Sequence, residues 1–208
     1  MSFLRADVGV ALRRKTLVGL ALAISAAGPA RAAPVTYTLD PAHSWVHFEV
    51  LHFGTSTIRG RIGPIQGGVT LDRQAARGEV SLRLPTATVD TGLAVFNARL
   101  REPDLLATEA WPEAYFVATR FRFEGGQPVE VRGEFTLRGV GQPLSLRAMR
   151  FACRPVTADA NAAGAPGGEV CGGDFEGEIN RADFGATFGM PFISGRVRLI
   201  VQVEGRAP

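Results

Sequence analysis

Apolar and polar side chains alternate along most of the chain, the period of a strand with one dry and one wet face. In 45–52, Val46, Phe48, Val50 and His52 share one face, and Trp45, His47, Glu49 and Leu51 share the other. Residues 79–84 set Val80, Leu82 and Leu84 against polar groups. Over 115–123, Tyr115, Val117, Thr119, Phe121 and Phe123 oppose Phe116, Ala118, Arg120 and Arg122. In 129–137 the apolar set ends on Phe135 and Leu137; in 197–204 it comprises Val197, Leu199, Val201 and Val203. Shorter strands fit 56–62, 67–71, 144–151 and 174–181, separated by Gly and Pro clusters such as Gly63-Pro64 and Gly125-Gly126. The interval 93–110 instead has helical spacing. Pro103 cuts it, so a second helical piece is expected to open at Glu102-Pro103-Asp104 and stop before Pro112.

One-sided alternation along so many strands predicts an all-β fold, a closed antiparallel barrel or a sandwich. A barrel of about eight strands leaves room inside for one slender ligand. The expected lining is the apolar parity of the strands: Val46, Phe48, Val50, Val69, Leu71, Val80, Leu82, Leu84, Val117, Phe121, Phe135, Leu137, Ile179, Leu199 and Val201. His52, at the end of its stripe, is the candidate polar anchor.

The first 32 residues read as a secretory signal peptide: Arg13, Arg14 and Lys15, a short apolar run over 16–27, then Ala30-Arg31-Ala32. Residues 33–208 form one domain, expected in the periplasm. The leader carries five basic residues and one acidic residue. Without it, 18 basic residues face 19 acidic ones, a net charge of −1. That balance argues against a nucleic-acid partner. No later stretch is long and apolar enough to span a bilayer, so no stable membrane anchor is expected.

Cys153 and Cys171 are the only cysteines. An even pair in an exported chain points to a disulfide, and the absence of Cys-x-x-Cys spacing argues against redox chemistry. A metal site on His43, His47 and Glu49 fails on distance, since residues four apart on a strand are roughly 13 Å apart. A hydrolase triad of Asp90, His52 and Ser56 lacks a Gly-x-Ser-x-Gly turn. The chain is therefore expected to be no enzyme and to hold no metal.

An ordered set of motifs is more specific. It runs from Tyr37-Thr38-Leu39-Asp40, His43-Ser44, Phe48, His52, Gly54, Gly60 and Ile62 to Gly68–Asp72 and Val89-Asp90. It continues with Leu100-Arg101, Asp104-Leu105-Leu106, Trp111-Pro112, Phe116, Gly133, Thr136-Leu137, Gly139-Val140 and Pro143, and ends with Arg181, Asp183-Phe184-Gly185 and 197–204. This set resembles the YceI-like family, periplasmic polyisoprenoid-binding proteins with a lipocalin-like barrel. The resemblance covers nearly all of 37–204 and implies an isoprenoid lipid, a prenyl pyrophosphate or a quinone-like molecule, as partner and no other cofactor. The chain departs from the family where members commonly carry Asp-x-His-Leu: here stands Asn97-Ala98-Arg99-Leu100. If that corner meets a head group, Arg99 favours an anion. The cysteine-flanked loop is a second departure. The alternative is a stress-related structural protein whose barrel is filled by its own side chains. Trp45 and Leu51, on the outer face, offer a surface for a homodimer.

Overall fold

The structure, a computed structural model, describes residues 33–156 and 168–208. The expected leader lies outside the described residues, as does most of the Ala- and Gly-rich loop between the cysteines. The strands are β1 Val35–Leu39, β2 Trp45–His52, β3 Ser56–Ile62, β4 Gln66–Asp72, β5 Arg77–Pro85, β6 Glu113–Glu124, β7 Gln127–Leu137, β8 Val140–Pro155, β9 Glu169–Asn180 and β10 Ile193–Ala207. The helix α1, Ala94–Leu100, sits between β5 and β6. Short 3-10 turns cover Pro41–His43, Thr86–Thr88 and Arg181–Phe184.

All pairings between these strands are antiparallel, in the order β1-β4-β5-β6-β7-β8-β9-β10, and β1 pairs back onto β10 to close an eight-stranded barrel. The two extra strands, β2 and β3, continue the wall. Leu39 opposes Gly205, and Trp45 opposes Gln202 three residues further along β10. So β1 and β2 line the same edge of β10, like one strand broken at 40–44. β3 pairs with β2 as β4 pairs with β1, with its own break at 63–65. The first break is locally specified: Asp40 caps the Pro41–His43 turn through its Oδ1, and the wholly buried Ser44 hydroxyl donates to the Glu204 carbonyl at 3.3 Å.

Two expectations are corrected. In β6 the register against β7 shifts between Ala118 and Arg120. Ala114, Phe116 and Ala118 point inward before this bulge; Phe121 and Phe123 turn toward the interior after it. The extra residue flips the parity. Val117 is therefore 48% exposed on the outer wall rather than lining the barrel. Gly133 faces Ala118 there, and a Cβ on it would lie 2.2 Å from the Val117 carbonyl oxygen, so a side chain at 133 does not fit. The second helical piece does not form either: 101–110 runs as turns after α1. Leu106 N–H returns to the Leu100 carbonyl and Thr108 N–H to that of Arg101, folding the segment back on itself, with Ala107 at φ +50°.

The outer wall is laced by arginines and carboxylates. Arg198 bridges Glu49 at 2.9 Å and Glu176 at 2.7 Å across three strands. Arg132 grips Glu130 through two nitrogens, and Ser145 donates to the same carboxylate at 2.6 Å. These contacts, with Arg122, hold the Glu130 carboxyl down to about 2. Exposed pairs of this kind add little stability each, and their cross-strand placement fits the registry of the wall.

Candidate lipid-binding cavity

Inside the barrel, inward faces of β2, β5, β6, β7, β8, β9 and β10 surround a cavity of about 160 Å³. A second cavity of about 70 Å³ lies between β1, β4 and the disulfide. Leu82, Phe116, Leu146 and Val201 line both, forming a waist between them. The larger cavity has Val46, Phe48, Val50, Leu82, Leu84, Phe135, Leu137, Ile179, Leu199 and Val201 on its wall. The smaller has Val69, Leu71, Val80 and Phe121. Phe48 lies flat on β3, where a Cβ at Gly60 would stand 2.3 Å from its ring.

The wall of the larger cavity exposes no polar surface. Its few polar side chains spend their polar atoms elsewhere. Thr86 Oγ1 donates to the Trp111 carbonyl at 2.9 Å. Tyr115 donates to Glu113, and Arg83 to Glu113 and Gln66. Arg181 is 7% exposed and donates to the carbonyls of Ser194 at 2.8 Å, Ala186 at 2.5 Å and Ile193 at 2.9 Å. Burial pushes this guanidinium below its usual range, and among the described residues no carboxylate pairs with it. Its stem lines the cavity while its charged head pins the 186–194 loop to the barrel.

The two polar anchors expected from sequence lie off the cavity wall. His52 ends β2 opposite Ser56 and Ile193, and its ring meets Phe53 edge-on at 4.6 Å. The stripe it terminates does point inward, but the cavity stops short of it. Arg99 makes a two-pronged pair with Asp104, both contacts at 2.7 Å, and lies 3.9 Å over the Phe188 ring. Its charge is thus already matched by the turn after α1. Asn97 ties α1 to the preceding loop, donating to Asp90 and accepting from Thr91.

Several wall residues escaped the sequence reading. Phe116 was hidden by the bulge. Leu144 and Leu146 carry a visible alternation in β8. Val89, Leu100, Leu105 and Leu106 come from the segments folded over one end and have no strand period to betray them.

The other end is fastened differently. Cys153 and Cys171 stand directly opposite each other in β8 and β9 and are disulfide-bonded. Beside them Tyr37, 2% exposed, donates to Glu169, which Arg73 holds at 2.7 and 2.8 Å. Burial first, then the Glu169 carboxylate, pushes the Tyr37 hydroxyl up to about 12. Burial raises the Glu169 carboxyl, but Tyr37 and Arg73 outweigh it and leave it below the usual range.

Neither the expected-absent triad nor the histidine cluster gains support. Among the described residues no side-chain hydrogen bond joins His52 to Ser56 or Asp90; Asp90 faces Asn97, Gly92 and Arg61. Asp40, His43 and Glu204 do bring donor atoms within 4.8 Å of one another. There His43 Nδ1 already bonds Asp40 at 3.0 Å, with Arg206 at 3.7 Å from the same carboxylate.

Residues 37–205 match the YceI-like domain. The protein YceI of Escherichia coli O157:H7 is 31% identical over 195 residues, covering 92% of this chain and 97% of that protein. The crystal structure of Burkholderia cenocepacia BcnA superposes with a TM-score of 0.61 at 18% identity, covering 80% of this chain and 98% of that one. A domain from Saccharophagus degradans, described as a polyisoprenoid binding domain implicated in plant cell wall breakdown, does so at 0.59 and 19% identity, covering 84% and 99%. The ordered motifs, the closed barrel and these matches agree: the chain belongs to the YceI-like family.

Proposed function

We propose that this protein is an exported, non-enzymatic carrier that holds an isoprenoid hydrocarbon along the barrel axis. The observation that carries this reading is the larger cavity, whose wall is apolar throughout. Such a wall recognises a ligand by length and shape, at about 0.8 kcal/mol per buried CH₂. The polyisoprenoid-binding description of a protein with the same fold supports the ligand class. The disulfide is consistent with an oxidising compartment, as expected for the periplasm. With Arg99 paired and no polar group on the wall, the head group, pyrophosphate or quinone-like ring, stays at the end of the barrel.

Magnitude decides how the tail fits. A 150 Å³ cavity in another protein takes one benzene, so the larger cavity as it stands takes about one isoprene unit. A longer tail needs the waist at Leu82, Phe116, Leu146 and Val201 to part and join the two cavities. The same waist favours the alternative, a self-filled barrel without a ligand. Native mass spectrometry of gently purified protein, followed by solvent extraction, separates the two. A prenyl lipid released from the wild type, and lost in the cavity-filling variant Val46→Phe with its melting temperature retained, supports the carrier. Bare protein overturns it.

A further inference from the structure

Three stretches of chain meet at the end of the barrel closed by α1: 50–58, 91–98 and 184–195. None contains an Asp, Glu, Lys or Arg. In a protein with 21% charged residues, 29 such positions should carry about six charges, so the gap calls for a physical reason. Glu49, Arg59, Asp90, Arg99, Asp183 and Arg196 stand immediately outside these stretches. Glu49, Arg59 and Arg196 lie on the wall strands, and Arg99 sits in the last turn of α1.

What replaces charge is exposed apolar surface. Phe53 and Phe192 are 58% and 65% exposed and stack on each other at 5.7 Å, with Phe53 N–H donating to the Phe192 carbonyl. Leu93 and Val95 are 57% and 73% exposed, and α1 has no buried residue among the described ones. Phe188, 45% exposed, joins α1 to the third stretch through its contact with Arg99. Exposed aromatic and aliphatic groups gathered as a collar at one end of the barrel, where the charge of Arg99 is matched by Asp104, are costly in water and mark a contact surface. Leu100, Leu105, Leu106 and Arg181 line the large cavity from beneath the same end.

We infer that this collar docks reversibly on a lipid surface, with Phe53, Phe192, Leu93, Val95 and Phe188 entering the apolar side of the interface. The inference rests on the reading that the cavity holds a hydrocarbon, because such a ligand has its reservoir in a membrane and the collar surrounds the cavity's end. A lipid surface fits better than a protein partner of opposite charge, since the three stretches carry no charge and Arg99 beside them is already matched by Asp104. It also fits the location of the wall arginines. They stay in water when the barrel stands on its end, where burying a charge would be costly.

The test floats purified full-length protein with neutral phosphatidylcholine vesicles on a density gradient, with bound lipid measured separately by extraction and mass spectrometry. Wild type is expected to float, and to keep floating at about 1 M salt, where charge screening falls to ~3 Å. Val95→Glu and Phe192→Glu are expected to lower the vesicle-bound fraction by at least about tenfold. Met149→Glu, an equally exposed apolar site on β8, is expected to leave it unchanged. Wild type that stays unbound while still yielding extracted prenyl lipid overturns the docking and leaves the carrier standing. Floating protein that yields no prenyl lipid supports the docking and overturns the carrier. Flotation unaffected by both collar variants overturns the collar. So does a dimer that those variants dissociate without any vesicle binding, which would make the collar a contact between two copies.

Discussion

The two ends of the barrel each bury a polar side chain beside an apolar cavity, and they satisfy it by different means. At the disulfide end, the Tyr37 hydroxyl meets Glu169, Glu169 meets Arg73, and a covalent bond ties β8 to β9 alongside. At the α1 end, the Arg181 guanidinium has only backbone carbonyls, that of Ala186 in the loop and those of Ile193 and Ser194 at the start of β10. The rest of that end is covered by α1 and turns with no buried helix residue among those described. Elements held by few buried contacts open at the lowest free-energy cost. We therefore expect α1 to open more readily than the turns around it, which bury Val89, Ala107, Phe184 and Ala186, and the larger cavity lies at this end.

The largest test of this difference removes the buried cation that fastens the α1 end. Arg181→Met keeps a stem against the cavity but leaves three backbone carbonyls without their donor. We expect a loss of about 3–5 kcal/mol, because unpaired buried acceptors each cost on the order of 1–3 kcal/mol. That corresponds to roughly a 10 °C fall in melting temperature for a domain of this size. Hydrogen exchange should quicken first over 181–194. Equal loosening of β8 and β9 would mean that the two ends are a single cooperative unit.

The next largest acts on the disulfide end. Replacing Cys153 and Cys171 together by alanine frees a loop closed across a separation of 18 residues. In the chain-entropy account this costs about 3 kcal/mol. Extracted lipid and exchange over 181–194 should stay as in the wild type. A loss of lipid in this variant would show that the disulfide end also gates the cavity.

Tyr37→Phe probes the same end more gently and should cost about 1 kcal/mol, one buried hydrogen bond. The pH dependence carries the sharper signal. The folded hydroxyl titrates at about 12 against an ordinary value of 10.0. A raised value means the protonated hydroxyl is the form the fold favours. Its contribution is whole below about pH 10 and is lost as pH climbs toward about 12. Denaturant titrations of the wild type should show this alkaline decline, and Tyr37→Phe should lack that part of it.

Legibility in the sequence followed the same divide. The wall could be read because strands with one wet face force alternation: Val46, Phe48 and Val50 in β2, or Leu199 and Val201 in β10, occupy the face their spacing requires. The reading failed where one extra residue interrupted the period. The bulge at Thr119 put Phe116 inside and Val117 outside, and no residue type announces it. β1 passed unread because only Tyr37 and Leu39 of its five residues are buried. The α1 end resisted most. Leu105, Leu106 and Arg181 reach the cavity from turns, where position is set by backbone hydrogen bonds rather than by period. The cysteine pair was legible from number and compartment alone. Of the polar anchor candidates, His52 lies beyond the end of the cavity and Arg99 is held by Asp104, neither of which strand spacing specifies.

Arg99 supplies the smallest expected effect. Asp104 is half exposed, so the pair lies in screened surroundings despite its two short contacts. Asp104 first, with Glu102 adding at longer range, raises the Arg99 guanidinium further above its usual range, so its charge is constant across accessible pH. Arg99→Ala should therefore leave the melting temperature almost unchanged, with no new pH dependence. It also uncovers the Phe188 ring, which adds apolar area to the collar rather than removing it. Lipid content measured by extraction should stay level whether the head group is anionic or neutral. A selective fall in prenyl pyrophosphate over neutral prenyl lipid would mean that Arg99 leaves Asp104 to meet the ligand. The α1 end would then carry a working charge after all, and its contrast with the disulfide end would narrow to the covalent bond.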